Sequence, residues 1–237
     1  MVKELNKTIP TEVAFGMADP QSMQAAISRL EARGVTTIAA LPMFVSSHSP
    51  IIGNSRYILG LQPALAARTS LKTLDRVKTK SKIVFSPALD ADPLISEILF
   101  DRAKALSPDP AKTNVVIIAH GPNDEEDNKL WLADMAKHAA HLRAKGFRSV
   151  EVLTHSNDAD AAVKGAARAA FRLRVKTAGR DGITVVVPLL LSAGGIEEEV
   201  EGDLKGLKFT FASPLAPHPN LARWAQKQFA ALTASAP

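Results

Sequence analysis

Apolar residues in this chain fall into two alternating rhythms. Short unbroken runs come at 36–45 (TTIAALPMFV), 81–86 (SKIVFS), 114–120 (NVVIIAH), 183–192 (ITVVVPLLLS) and 208–213 (KFTFAS). Two more, TEVAF at 11–15 and SVEVLTH at 149–155, are shorter or carry an acid. Each reads as a strand. Runs this apolar, without alternation, belong in sheets buried on both faces. Between them the period changes to that of a helix. Met23, Ala26, Ile27 and Leu30 share one helical face, and Leu132, Met135, Ala136, Ala139 and Leu142 share another. Asp19 then Pro20 predicts a helix start, because the carboxylate caps free N–H groups and proline fits the first turn. Further helices are expected around 56–61, over 93–105, in the alanine- and arginine-rich stretch after 155, from near Glu197, and from Asn220 onward. Strand–helix alternation of this kind predicts an α/β fold with parallel sheets flanked by helices.

The pattern also repeats. TEVAFGMADPQSMQAA aligns with VEVLTHSNDADAAVKGA, placing Glu12 and Val13 over Glu151 and Val152, and Asp19 over Asp158. TIAALPMFVSSHS aligns with ITVVVPLLLSAGG, with Pro42 over Pro188, and KIVFSPALDADP with KFTFASPLAPHP, with Pro87 over Pro214. Three matches in one order predict an internal duplication. Residues 107–113, SPDPAKT, read as the linker, giving domains at 1–108 and 109–237. The second half opens with VVIIAHG and a helix that have no counterpart in the first, so the N-terminal domain is expected to lack its first strand–helix unit.

Composition narrows the chemistry. With 237 residues, 46% hydrophobic and 22% charged, the chain is ordinary for a globular protein of one large or two small domains. It has no cysteine, which removes disulfides, thiolate metal sites and cysteine nucleophiles. The formal net charge of +5 suits an acidic ligand, but 5% aromatics with one tyrosine gives little for stacking nucleic acid. No apolar run is long enough to span a bilayer, and residues 1–12 lack the apolar core of an export signal, so a cytoplasmic location is the default expectation. No phosphate-binding loop, dinucleotide fingerprint or nucleophile elbow is present.

Histidine is the residue that stands out. Four of the six, His48, His120, His155 and His218, follow the C-terminal end of an expected strand. That edge of a parallel sheet is where ligands bind. His138 and His141 lie mid-helix and read as structural, one packed beside Met135 and Leu142 and the other meeting solvent. Imidazole binds metals and exchanges protons near neutral pH, so the strand-end set points to an open site that holds a metal loosely or moves protons. Glu197, Glu198, Glu199 and Glu201 open a helix, where acids are favoured by the dipole; Glu197 could equally serve as a proton acceptor or an acidic path for a cation.

VVIIAHGPNDEEDN, VVVPLLLSAGG and ALPMFVSSHSPIIGNSRYILGL, taken in order, resemble the class II tetrapyrrole chelatases, the sirohydrochlorin cobalto- and ferrochelatases in their long two-domain form. The resemblance covers most of the chain. It implies two similar flavodoxin-like α/β domains, with the site in the cleft between them, and insertion of a divalent metal into a tetrapyrrole. His120, in the His-Gly pair, then matches the residue that binds metal and accepts pyrrole protons. His155 matches the end of the next strand, where some members place an acid. Ile196 stands where a second histidine is usual, with Glu197 beside it, and His48 is expected to substitute. The expected metal ligands are thus His120, His48 and His155, with His120, His48 and Glu197 catalytic, and Arg56 and Tyr57 binding the acidic tetrapyrrole. Co²⁺ or Fe²⁺ is expected as substrate, with no nucleotide. The expected partner is a small tetrapyrrole rather than nucleic acid or membrane, and a homodimer is admitted. The alternatives are a non-catalytic metal or tetrapyrrole binder, a two-lobed metabolite binder, and a purely structural domain.

Overall fold

A computed structural model describes residues 2–156 and 159–234. Asp158, aligned with Asp19 above, lies outside the described residues. The chain forms two compact units, one comprising residues up to Ala88 together with those from Ala222 onward, the other Leu89–Leu221. The division therefore does not fall at the 107–113 linker. Helix Pro93–Ala105 belongs to the second unit although it precedes that linker, and most of the final helix belongs to the first. Among the described residues no helix is long and apolar enough to cross a membrane.

The first unit contains α1 (Val2–Leu5), α2 (Pro20–Ala32), β1 (Thr37–Ala40), α3 (Pro50–Ile58) and β2 (Lys82–Phe85). Asp19 accepts from the N–H groups of Gln21 and Ser22 ahead of Pro20, and Ser49 caps Pro50 in the same way. Strands β1 and β2 are parallel, with Ile38 beside Ile83 and Ala40 beside Phe85. Ile27, Leu30, Ile38 and Leu59 form the core, and Met23, Val35, Ile83 and Phe85 pack against it. The expected strand at 11–15 is not formed. Instead Glu12 pairs with Arg29 of α2 and with Arg33 just after it, and Phe15 donates its N–H to Ser22 Oγ. The reason is the missing partner. In the second half the aligned strand pairs only with VVIIA, and the first half has no copy of that strand.

The second unit contains α4 (Pro93–Ala105), β3 (Thr113–Ala119), α5 (Glu125–Ala144), β4 (Ser149–Thr154), α6 (Ala161–Ala178), β5 (Ile183–Leu189), α7 (Gly195–Asp203) and β6 (Thr210–Phe211), followed by α8 (Pro219–Ala234), whose residues from Ala222 pass to the first unit. Its sheet is parallel throughout, in the order β4-β3-β5-β6. Val116, Ile118 and Val186 face α6 and α7, meeting Phe171, Val175, Val200 and Leu204. The alternate residues Val115, Ile117, Val185 and Val187 are also fully buried, on the face where α4 and α5 lie. Double-sided burial explains why these strands read as unbroken apolar runs. Pro188 is tolerated inside β5 for a positional reason. Val186 O accepts from Ala212 N, so Pro188 turns its nitrogen to that same side, past the end of β6.

Candidate active site

In the second unit the chain runs from β3 to β4 on one side and then returns to β5 on the other. The reversal places the crevice of the fold at the carboxyl ends of β3 and β5. Ala119 pairs with Leu189 at the last rung, so His120 leaves β3 directly beside the segment that leaves β5. Residues 190–196 (LLSAGGI) line a pocket of about 270 Å³ there. Ser192, Ala193, Gly194 and Gly195 are exposed, and Cβ atoms added at Gly194 or Gly195 would meet nothing within 4 Å.

His120 is half-buried, and its Nδ1 lies 2.6 Å from the carbonyl oxygen of Gly121. A carbonyl only accepts, so Nδ1 carries the proton, and in the neutral ring the lone pair is on Nε2. The turn behind it is tightly specified. Gly121 has φ +77, and a Cβ there would come 2.5 Å from Thr154 Cβ. Thr154 Oγ1 in turn donates to Asn128 Oδ1 at 2.8 Å, tying the end of β4 to α5. The backbones of His120 and His155 are neighbours: His155 N donates to Ala119 O and Ser156 N to His120 O.

Their side chains have different surroundings. His155 is fully buried, and its Nε2 lies 2.5 Å from Asp203 Oδ2 at the end of α7. Its ring meets Phe171 edge-on at 6.4 Å. Glu197 is half-exposed in the first turn of α7, its N–H bonded to Gly194 O. Ile196 packs against the core that includes Val200 and Leu204. His218 follows β6 and lies 3.2 Å from Asp101 of α4. Among the described residues no three histidine or carboxylate side chains cluster closely enough to form a closed metal site.

His48, Arg56 and Tyr57 belong to the first unit. His48 is half-buried in the loop after β1, with its N–H donated to Ser46 Oγ. Arg56 lies over the Phe85 ring at 5.4 Å, and Tyr57 is covered by the guanidinium of Arg76 at 4.5 Å. The two mid-helix histidines divide as expected. His138 is buried, accepting from Ser96 Oγ at Nδ1 and donating to Asp90 O from Nε2, whereas His141 is partly exposed beside Glu97. Burial pushes the His138 pKa down to about 4.

Sequence reasoning missed Asp203 and Arg168. A signal was present: Lys164, Arg168 and Arg172 recur every four residues on α6, as Glu199 and Asp203 do on α7. Opposite charges on two such stripes predict facing helices. Lys164 lies 2.8 Å from Glu199, Arg168 bonds Glu199, and Arg168 Nε lies 2.9 Å from Asp203 Oδ2. These cations hold the Glu199 carboxyl below its ordinary range.

Among known proteins, the CbiX family model matches the chain twice, over residues 1–106 and 114–232. No curated protein matches it in sequence. Solved structures share its fold. SirB from Bacillus subtilis with Fe³⁺ aligns at TM-score 0.66 and 17% identity, over 96% of this chain and 85% of that one. The sirohydrochlorin chelatase SirB from Bacillus subtilis subspecies spizizenii, in complex with cobalt, aligns at 0.59 and 14%, over 96% and 83%. DR2241 from Deinococcus radiodurans, a multi-domain protein with structural similarity to chelatases, aligns at 0.54 and 21%, over 84% of this chain and 42% of that one. The two family matches together take in nearly all of the sequence and fall on the two halves that the repeated strands had marked, so the chain belongs to the CbiX family.

Proposed function

We propose that this protein inserts a divalent metal, Co²⁺ or Fe²⁺, into a tetrapyrrole of the sirohydrochlorin type. The observation that carries the reading is His120 at the switch point of the sheet, with Nδ1 held on the Gly121 carbonyl. A backbone carbonyl on one ring nitrogen fixes the tautomer and makes the other nitrogen a better ligand and base. Membership of the CbiX family and the metal-bearing SirB structures of like fold support it.

The chemistry required is modest. Two pyrrole N–H protons leave as the metal takes their place, so a base must stand near the macrocycle. His120 Nε2 first donates its lone pair to the ion. Once the ion has passed to the macrocycle, the same lone pair accepts a pyrrole proton and releases it to water. Glu197, beside the pocket, is the proposed second acceptor. His48 is proposed as an additional metal ligand, and Arg56 with Tyr57 as binders of the substrate's carboxylates. The reaction needs no nucleotide, and a cytoplasmic location and homodimer are expectations that accompany the same proposal.

The test is direct. Purified protein is mixed with sirohydrochlorin and Co²⁺, and the pigment's absorption is followed against a protein-free control. The expected result is a rate well above control that falls by roughly 100-fold or more in His120→Ala, the usual range for losing a positioned base. Arg56→Ala should raise KM and leave kcat nearly unchanged. A wild-type rate equal to the control overturns the proposal. Ile196, in the place of the family's second histidine, favours one other reading, a binder without turnover. Pigment binding with no gain in rate would select it.

A further inference from the structure

The charged side chains between α6 and α7 converge on one half-buried atom pair. Asp203 Oδ2 receives His155 Nε2–H at 2.5 Å, and Arg168 Nε approaches it at 2.9 Å as an ion-pair contact rather than an aligned hydrogen bond. Arg172 adds a hydrogen bond to the Asp203 carbonyl. A carboxylate withdrawn from water is costly unless it is paired and hydrogen-bonded, and Asp203 has both kinds of partner. Metal insertion as described above uses none of these contacts.

Helix α7 shows what they could be for. Its N-cap is Gly194, which supplies no side-chain hydrogen bond, and the loop before it is exposed and loosely packed. No side-chain cap therefore fixes where the helix begins, and of its first two residues it is Ile196 that packs against the core. Its other end is fixed, by Val200 and Leu204 in the core and by Asp203 on His155. Nine residues of helix make a lever of about 13 Å. The pinning of Asp203 therefore acts together with the packing of Ile196 and the pairing of Glu199 on where Glu197 and the 190–196 pocket lie.

We infer that His155 and Asp203 form a positioning pair that sets α7 and the pocket loop, and that His155 is not a metal ligand. To bind an ion through Nε2, the buried ring would have to give up Asp203 and leave that half-buried carboxylate to Arg168. The role given to the positioned residues rests on the proposed chelatase reading; the pinning itself does not.

Three measurements on the full chain test this: amide hydrogen exchange over residues 190–200, Co²⁺ affinity by equilibrium dialysis, and the kinetics of metal insertion. In His155→Gln the side-chain amide can still donate to Asp203. That variant should keep wild-type exchange, Co²⁺ affinity and kcat within a few-fold. In His155→Ala, exchange over 190–200 should speed up and kcat should fall roughly 10- to 100-fold, the cost of a misplaced group, while Co²⁺ affinity holds. If His155→Ala does not fold, Asp203→Ala opens the pair from the other side and should speed the same amides. The inference fails if both His155 variants lose roughly tenfold or more in Co²⁺ affinity, as removal of a ligand would cause. It also fails if opening the pair leaves exchange over 190–200 unchanged. Wild-type protein without insertion activity would sink the chelatase reading alone, since exchange still decides the pinning.

Discussion

At the scale of single residues, the His-Gly pair shows how one side chain depends on the residue after it. Gly121 has φ +77 and sits so close to Thr154 that an added Cβ would overlap it. Gly121→Ala should cost about 1–3 kcal/mol through backbone strain and overpacking. On the proposed reading it should also lower insertion activity more than a mutation of equal cost elsewhere, because His120 would move; urea unfolding together with steady-state kinetics measures both. The sequence made His120 conspicuous, since an apolar strand running into a histidine is visible in a single line. It left His155 looking the same. The two occupy equivalent places after adjacent strands, yet His155 is fully buried on Asp203, 48 positions away in the chain. No periodicity within 149–155 carries that information.

At the scale of elements, His138 joins α5 to α4 and to the turn before it. Its ring is neutral when folded, with a pKa depressed to about 4 from 6.5. Above pH 6.5 both folded and unfolded forms are neutral, so stability is independent of this group. Between 6.5 and about 4 the unfolded chain binds the extra proton, and stability falls as pH falls, by about 3 kcal/mol in total. Urea midpoints followed by the fluorescence of Trp131 and Trp224 should show that decline, and His138→Gln should show a shallower one. Most elements were legible locally. Asp19 with Pro20 marked the start of α2, and 93–105 is the helix the sequence predicts. The segment at 11–15 was misjudged because its composition suits a strand while its only matching partner is absent from its half. β-structure is a property of pairs, and a single run does not reveal whether its neighbour exists.

At the scale of the whole molecule, the charge of +5 suits a polycarboxylate substrate. Long-range attraction between exposed charges is screened within about 8–10 Å at physiological salt. On the proposed reading, raising NaCl from 50 to 300 mM should therefore weaken tetrapyrrole binding several-fold and change kcat little, which a fluorescence-quenching titration beside initial rates would show. Duplication also belongs to this scale. The repeated strands were readable in order, and the family match divides at nearly the same place. The ownership of the helices was not readable. Helix α4 packs in the second unit and most of α8 belongs to the first, so the compact units cross the apparent linker.

The sequence by itself determined the α/β alternation, the repeat, the helix caps and the family, because each is written in contiguous residues: a period, a capping carboxylate, a strand that ends in His-Gly. Only the tertiary structure decided which strands find partners, which unit each helix completes, and that His155 is held by Asp203 while His120 stands at the switch point beside the pocket. Those outcomes depend on residues brought together across tens of positions, where burial and the pairing of buried charge, rather than local pattern, select the arrangement.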